Sequence, residues 1–369
     1  MSTTGKKIKI LHISPWFPEA EDPFHGVFIA RHIAALAPFV DQEIVHIAVH
    51  LPGVKKNSSK HGNVTHIHQT IAFKSWRLME WTYFRILKKT LKTLRAKENF
   101  THVNFHIAYP SLVFYEKLRP YLPEKKLIIE HWSAYHFNFN SGTTPHRLAA
   151  IFAHDIQIAT VSRQLGLDIS AFAGHDLNYT VLPNVVDESL FYFEEEKVRD
   201  EFFMHALWKY PKDPMPVLQA VKNAVDNGKP ISLRISGYGP QLSEMQSFVD
   251  SNNLKDQINF LGALSGNDLV REFRRAKALI MPTNYETFSV VVAEALGCGC
   301  PVIASDAGAL HELVSTQCGI IKPKEKSWTD VLISFNPSDY DRALIAKNMN
   351  DRFSSATIAE RYLAILKAQ

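Results

Sequence analysis

The chain has 369 residues, enough for two domains that each bury a core. Its 46% hydrophobic and 21% charged residues are ordinary for a soluble globular protein. A formal charge of +4 is too mild to argue for nucleic acid, so none is expected as a partner and any basic function has to come from local clustering. The three cysteines, Cys298, Cys300 and Cys318, lack metal-ligand or CxxC spacing and read as small buried residues in a reducing compartment. MSTTGKKIKILHIS runs directly into a strand with no signal peptide, and no apolar window approaches the roughly 18 residues that span a membrane. The expected location is therefore cytoplasmic, or peripheral on the inner face of a membrane.

Strand and helix signals alternate along the chain, which predicts an α/β protein with parallel sheets and helices on both faces. IKILHIS (8–14) is the first strand and empties into PWFPEAEDPFHGVF, a long loop before a helix at about 29–37. Gly26 in that loop could bring backbone amides close to a phosphate, but the dinucleotide pattern GxGxxG is absent. EIVHIAVH is a second strand. HGNVTHIHQT follows with His61, His66 and His68, read as a solvated strand edge because no third ligand of the right type is near.

Residues 74–97 then hold eight basic residues against one acid, Glu80. Leu78, Trp81, Phe84, Leu87, Leu91 and Leu94 recur at helical spacing. The segment reads as an amphipathic helix covering the sheet, or as a basic and aromatic face that touches anionic lipid headgroups. HVNFHIAYP gives a strand ending near His106, and KLIIEHWS one ending at Glu130 and His131. A histidine just past a strand end is placed to meet a ligand, although most such residues are structural. DIQIATVS and YTVLPNVVD complete the first half. An acidic pause at 184–196 is the expected linker.

The second half opens with FMHALWKYPKDP, a strand and a loop bearing Lys209 and Lys212. SLRISGYGP and INFLGAL supply further strands. The most informative stretch is 278–314, ALIMPTNYETFSVVVAEALGCGCPVIASDAGALHELV, read as strand, polar loop, buried helix from about Ser289, turn and strand. Glu286 sits in its loop and Glu294 on a helix that is apolar on nearly every side. An unpaired buried carboxylate is costly, so the pair at a strand's carboxyl end suggests a site. Asp339-Tyr340-Asp341 could mimic a metal-binding pair, but Ser338 as a helix cap with acids in the first turn is the better account. No metal is expected.

Glu286 and Glu294, with seven residues between them, resemble the Glu-x7-Glu signature of retaining glycosyltransferases of family 4 (glycosyl transferases group 1). GYGP, INFLGAL, PNVVD and FSSATIAERYLAIL agree in the same order. The resemblance is dense from about 180 to 365 and thinner before it. It implies the GT-B architecture, two Rossmann-like parallel-sheet domains facing a cleft: 1–184 for the acceptor, 185–345 for the nucleotide-sugar, and a C-terminal helix (346–369) packing back on the first.

The resemblance also implies roles. Glu286 would bond donor-sugar hydroxyls and Glu294 the ribose diol, as ionised carboxylates accept two hydroxyls. Amides of Phe288, Ser289 and Val290, with Thr287 beside them, would hold the distal phosphate. Gly26 would close on the same diphosphate and His131 would bond the donor sugar. Lys212 matches the family's lysine. The family's arginine falls near Leu207 or Trp208, where only Lys209 could substitute, without the bidentate fork. His25-Gly26 stands where Gly-Gly is common, and Ser289 where glycine is frequent.

The implied activity is transfer of a sugar, most simply a hexose, from a UDP- or GDP-sugar to a hydroxyl of a glycan or lipid-linked acceptor, with retention. Polysaccharide, glycolipid or glycoconjugate biosynthesis is the implied setting. No prosthetic group is expected. The alternatives are an epimerase or phosphorylase of the same fold, or a nucleotide-sugar-binding protein without turnover.

Overall fold

The computed structural model describes residues 8–19, 25–50, 65–72, 75–137 and 144–368. It divides into two compact units, Met1–Val185 with Ser355–Gln369, and Val186–Ser354. The first unit is built on a seven-stranded sheet of β1 (Lys9–Ser14), β2 (Asp41–His50), β3 (Thr65–Ala72), β4 (His102–His106), β5 (Lys125–Glu130), β6 (Gln157–Thr160) and β7 (Tyr179–Val181), in the order β3-β2-β1-β4-β5-β6-β7. All its pairings are parallel. β4 and most of β1 and β5 are buried on both faces, as parallel strands under helices must be.

The second unit repeats the plan with six strands: β8 (Glu201–Leu207), β9 (Ser232–Tyr238), β10 (Ile258–Phe260), β11 (Leu279–Met281), β12 (Val302–Ala304) and β13 (Gly319–Ile321), ordered β10-β9-β8-β11-β12-β13. These strands also pair in parallel. Alternation along β8 sends Phe202, Met204 and Ala206 into the core beneath helix Met215–Asp226, while Phe203 packs on Phe273 from the other face. In each sheet the winding direction reverses beside its first strand, at β1/β4 and at β8/β11. Such reversals leave a crevice at the carboxyl ends of the strands, where α/β proteins bind ligands.

The basic segment forms helix Trp76–Lys97, started by Ser75, whose side chain accepts the Leu78 N–H. Its buried side differs from the expected stripe. Met79, Tyr83, Leu87, Leu91 and Leu94 are inside, whereas Leu78 and Trp81 are each 47% exposed. Glu80 is buried and accepts from Thr144 at 2.8 Å and from the Tyr109 hydroxyl at 3.3 Å. Position 74 and His61 lie outside the described residues. His66 and His68 fall on β3, at one edge of the sheet.

The C-terminal tail is two helices. Arg342–Phe353 closes the second unit and Ser355–Lys367 belongs to the first. Ser338 is not the cap expected of it. Asn336 accepts the Ser338 N–H at the short turn Pro337–Asp339, and Asp341 caps the following helix by accepting from Leu344 at 3.0 Å. Within the first unit the last helix is tied to β4, where the Asn104 amide donates to the Tyr362 hydroxyl at 2.7 Å. Cys298, Cys300 and Cys318 are free and buried. Among the described residues no helix is long and apolar enough to cross a membrane.

Candidate functional site

In the second unit the loops that follow β8 and β11 are sewn together over the strand reversal. The Asp213 N–H donates to the Pro282 carbonyl at 3.1 Å and the Asn284 N–H to the Pro211 carbonyl at 2.9 Å. Lys212 pairs with Thr283 as an isolated antiparallel bridge. That stitching brings the Lys212 ammonium onto Glu286 Oε1, with side chains 17% and 11% exposed. The Glu286 loop is pressed against Gly308. A Cβ at that glycine would come 2.3 Å from the Glu286 carbonyl oxygen, so no other residue fits without moving the loop. The Ala309 N–H then holds the same carbonyl at 2.9 Å.

Three residues past Glu286 the chain enters helix Val290–Gly297 through Ser289, which adopts a left-handed conformation (φ 72°, ψ 80°) and makes no side-chain cap. The first intrahelical bond runs from the Ala293 N–H to the Ser289 carbonyl at 3.2 Å. The amides of Ser289, Val290, Val291 and Val292 therefore precede the helical ladder, a donor cluster at the positive end of the helix dipole. Val291 and Val292 extend the set expected from the sequence, and fixing the helix start is what reveals them. Glu294 lies one turn inside this helix and is 6% exposed.

Lys209 is exposed on the β8 loop. Of Leu207 and Trp208, near which the resemblance puts the family's arginine, Leu207 is 38% exposed, while the Trp208 ring is buried and its indole N–H donates to the Ser236 carbonyl at 3.0 Å.

In the first unit Gly26 starts helix Val27–Leu36 with φ 73°. A Cβ there would lie 2.8 Å from both the Trp16 carbonyl carbon and the Phe17 nitrogen, so the glycine is required by its own loop. His131, just beyond β5, is 6% exposed and rests against the rings of Phe28, His32 and His106 at 4.8, 5.6 and 6.0 Å. Burial, reinforced by the nearby His32 imidazole and opposed by Asn184, holds its basicity well below the ordinary value. Beside it Glu130 accepts from the Ala108 N–H and the Tyr135 hydroxyl, each at 2.7 Å. Burial pushes this carboxyl up to about 7 despite those bonds.

Histidines that sequence reasoning left without a role lie nearby: His106 ending β4 and His32 on the 27–36 helix beside His131, and His12 within β1 beside His106, all fully buried. Their signal was histidine inside strand runs otherwise buried on both faces, KILHIS and HVNFH.

Residues 192–336 match the family described as Glycosyl transferases group 1. The group 1 match contains Lys209, Lys212, the 286–290 passage and Glu294. Gly26 and His131 lie outside it. Among curated proteins, the O-antigen chain mannosyltransferase RfbU of Salmonella typhimurium is 28% identical over 155 residues, 42% of this chain and 43% of its own length. The chain spans less than half the length of curated relatives that it matches. Among solved structures, sucrose-phosphate synthase from Thermosynechococcus elongatus is similar with a TM-score of 0.74 at 17% identity, covering 98% of this chain and 100% of that one. The Anabaena protein HepE in complex with UDP reaches 0.75 at 14% identity with coverage of 98% and 100%. These likenesses establish the fold as α/β of the GT-B class, with two Rossmann-like parallel-sheet units.

Proposed function

We propose that the chain is a retaining, metal-independent glycosyltransferase that moves a hexose from a UDP- or GDP-sugar to a hydroxyl of a glycan or lipid-linked acceptor. The observation that carries the reading is the Lys212–Glu286 contact at the β8/β11 reversal, next to the opening amides of helix Val290–Gly297 and inside the group 1 segment. A nucleoside diphosphate needs these features: donors for the phosphates, a cation for the leaving group and carboxylates for sugar hydroxyls. A UDP-bound neighbour of the same fold supports the class of donor.

In this reading the amides from Thr287 to Val292 take the distal phosphate, and Lys212 and Lys209 offset the charge that builds on it as the glycosidic bond breaks. Glu286 bonds sugar hydroxyls and Glu294 the ribose diol. The 1–184 region serves the acceptor, 185–345 holds the donor, and Gly26 lets the backbone approach the diphosphate. His131 bonds the donor sugar. The sugar carbon loses its bond to the phosphate oxygen and gains one to the acceptor oxygen on the same face. The departing phosphate takes the acceptor proton, and the protein contributes orientation and charge stabilisation.

A cytoplasmic location with peripheral membrane contact through 74–97 completes the proposal. It is supported by Leu78 and Trp81 standing exposed beside Arg77 and Arg85.

The test is a panel of labelled nucleotide-sugars and acceptors, with the products analysed by mass spectrometry and anomeric configuration read by NMR. Donor binding unchanged by both Glu286→Ala and Glu294→Ala removes the site assignment. An epimerised or merely hydrolysed donor moves the chain to another class.

A further inference from the structure

We infer that His32, His106 and His131 form a binding site for one divalent transition-metal ion, of the zinc and cobalt type, inside the first unit. One ring nitrogen from each of the three lies within 4.8 Å of the others, and all three residues are buried. Hydrogen bonding around the group fixes which nitrogens are bare.

A carbonyl oxygen can only accept. His32 Nε2, 2.7 Å from the Pro183 carbonyl, must therefore carry the hydrogen, and its Nδ1 is left with a lone pair. A second chain starts at Gln42, whose amide nitrogen donates to the Ile33 carbonyl at 2.6 Å and whose Oε1 therefore faces His12. His12 Nε2 donates to that oxygen at 3.0 Å, which makes His12 Nδ1 the acceptor. His106 Nε2, 3.0 Å from it, is then the donor, and His106 Nδ1 is bare.

Those two bare nitrogens have no hydrogen-bond partner among the described residues, and the Asn184 side chain is the polar neighbour of the His131 ring. A neutral imidazole always offers one lone pair, so each of the three clustered rings has one to give an ion. Left empty, such a cluster costs the desolvation of each bare nitrogen. Metal-binding histidines are oriented in this way, with the far N–H donating to a carbonyl or another acceptor that sets the tautomer.

Three imidazoles with an open fourth position match a zinc site. Zinc to nitrogen distances of about 2.0–2.1 Å place such ligands roughly 3.4 Å apart, so the rings need to close by at most about 1.4 Å. Imidazole selects zinc, cobalt, nickel or copper over magnesium and calcium. The inference does not depend on glycosyl transfer, since uptake of an ion is read directly.

The experiment is titration of the full, metal-stripped chain with Zn2+ and with Co2+, Mg2+ and Ca2+ serving as controls. One Zn2+ per chain should survive gel filtration, Co2+ should show the strong visible bands of a low-coordinate nitrogen site, and X-ray absorption at the zinc edge should read three imidazoles. His32→Gln and His106→Gln should each weaken binding more than tenfold. Gln42→Met, which frees the tautomer relay without touching a ligand, should weaken it tenfold or more. Absence of uptake by the folded wild-type chain, meaning that only water sits between the rings, overturns the inference. So does an absorption spectrum without three imidazoles, a reading that needs no variant to fold. Uptake unchanged in both His32→Gln and His106→Gln overturns it as well.

Discussion

Lys212 and Glu286 are brought into contact by the stitching of the β8 and β11 loops, although 74 positions separate them in the chain. The pair is held at the strand reversal before any ligand arrives, so each charge has a partner that a donor must displace or share. On the proposed reading Lys212 acts mainly as phosphate charge builds, and Glu286 acts on the sugar. Lys212→Ala is therefore expected to lower kcat by about a hundredfold or more, the scale of losing one preorganised charge stabiliser. Glu286→Ala should instead raise the donor Kd as well. Steady-state kinetics and donor titration, with circular dichroism to confirm folding, check both. Unchanged kcat in Lys212→Ala removes the lysine from the chemistry.

Ser289 occupies a left-handed conformation that disfavours any residue with a Cβ (φ 72°). That conformation costs a non-glycine residue roughly 1–2 kcal/mol, and the serine recovers none of it through a cap. Ser289→Gly is expected to stabilise the second unit by about 1 kcal/mol, while Ser289→Val should destabilise it. Urea unfolding midpoints measure both. A lower midpoint for the glycine variant shows that the serine is held by contacts that outweigh its backbone strain.

Glu130 gives a pH prediction with a definite sign. Its folded value of about 7 lies above that of a free carboxyl, so the folded chain holds a proton that the unfolded chain has released. Its contribution is fully present below the ordinary carboxyl range and is lost as pH rises through about 7. Glu130→Gln keeps an oxygen for Ala108 and Tyr135 but cannot ionise. Relative to wild type the variant should gain roughly 3 kcal/mol between pH 4.5 and pH 8, at about 1.4 kcal/mol per unit. A constant difference across that range rejects the assignment.

The buried histidines act in the opposite direction. Burial holds His12 and His32 at about 4, so below the ordinary histidine value the unfolded chain takes up protons that the folded chain refuses. Stability should fall steeply from about pH 6.5 to pH 4, by about 3 kcal/mol for each such residue. Urea midpoints measured across that interval check it. A flat profile there means that the rings find partners when charged.

Much of this was legible in the chain, for a physical reason. Parallel strands buried on both faces leave continuous apolar runs, and IKILHIS and ALIMP could be read as strands on that basis. The Glu286 loop and the helix after it also emerged from pattern, because glycine, proline and polar residues punctuate them. Contacts across the sheet were not legible. Nothing in one dimension says that the β8 and β11 loops bond to each other, or that His12 and His106 face one another from neighbouring strands. The outward side of helix Trp76–Lys97 was misjudged because a repeat every three or four residues fits two adjacent stripes. Tyr83 and Met79, rather than Trp81 and Leu78, won the buried one.

That helix carries the last prediction. Trp81 and Leu78 are each 47% exposed, and Arg77, Arg85 and Lys89 are exposed with them. The Arg85 guanidinium lies 4.6 Å from the centre of the Trp81 ring, so cation and aromatic share one face. An aromatic ring suits the headgroup layer, and each basic residue near an anionic surface strengthens binding about fivefold. The chain should therefore co-sediment with phosphatidylserine-containing vesicles at low salt and dissociate as salt screens the charges. Arg85→Ala with Lys89→Ala should weaken binding by about thirtyfold, and Trp81→Ser should weaken it at every salt concentration. These positions point away from the core, so thermal stability should hardly change. Absence of binding even at low salt leaves the helix a cover for the sheet, with its lysines and arginines serving only as a solvated face.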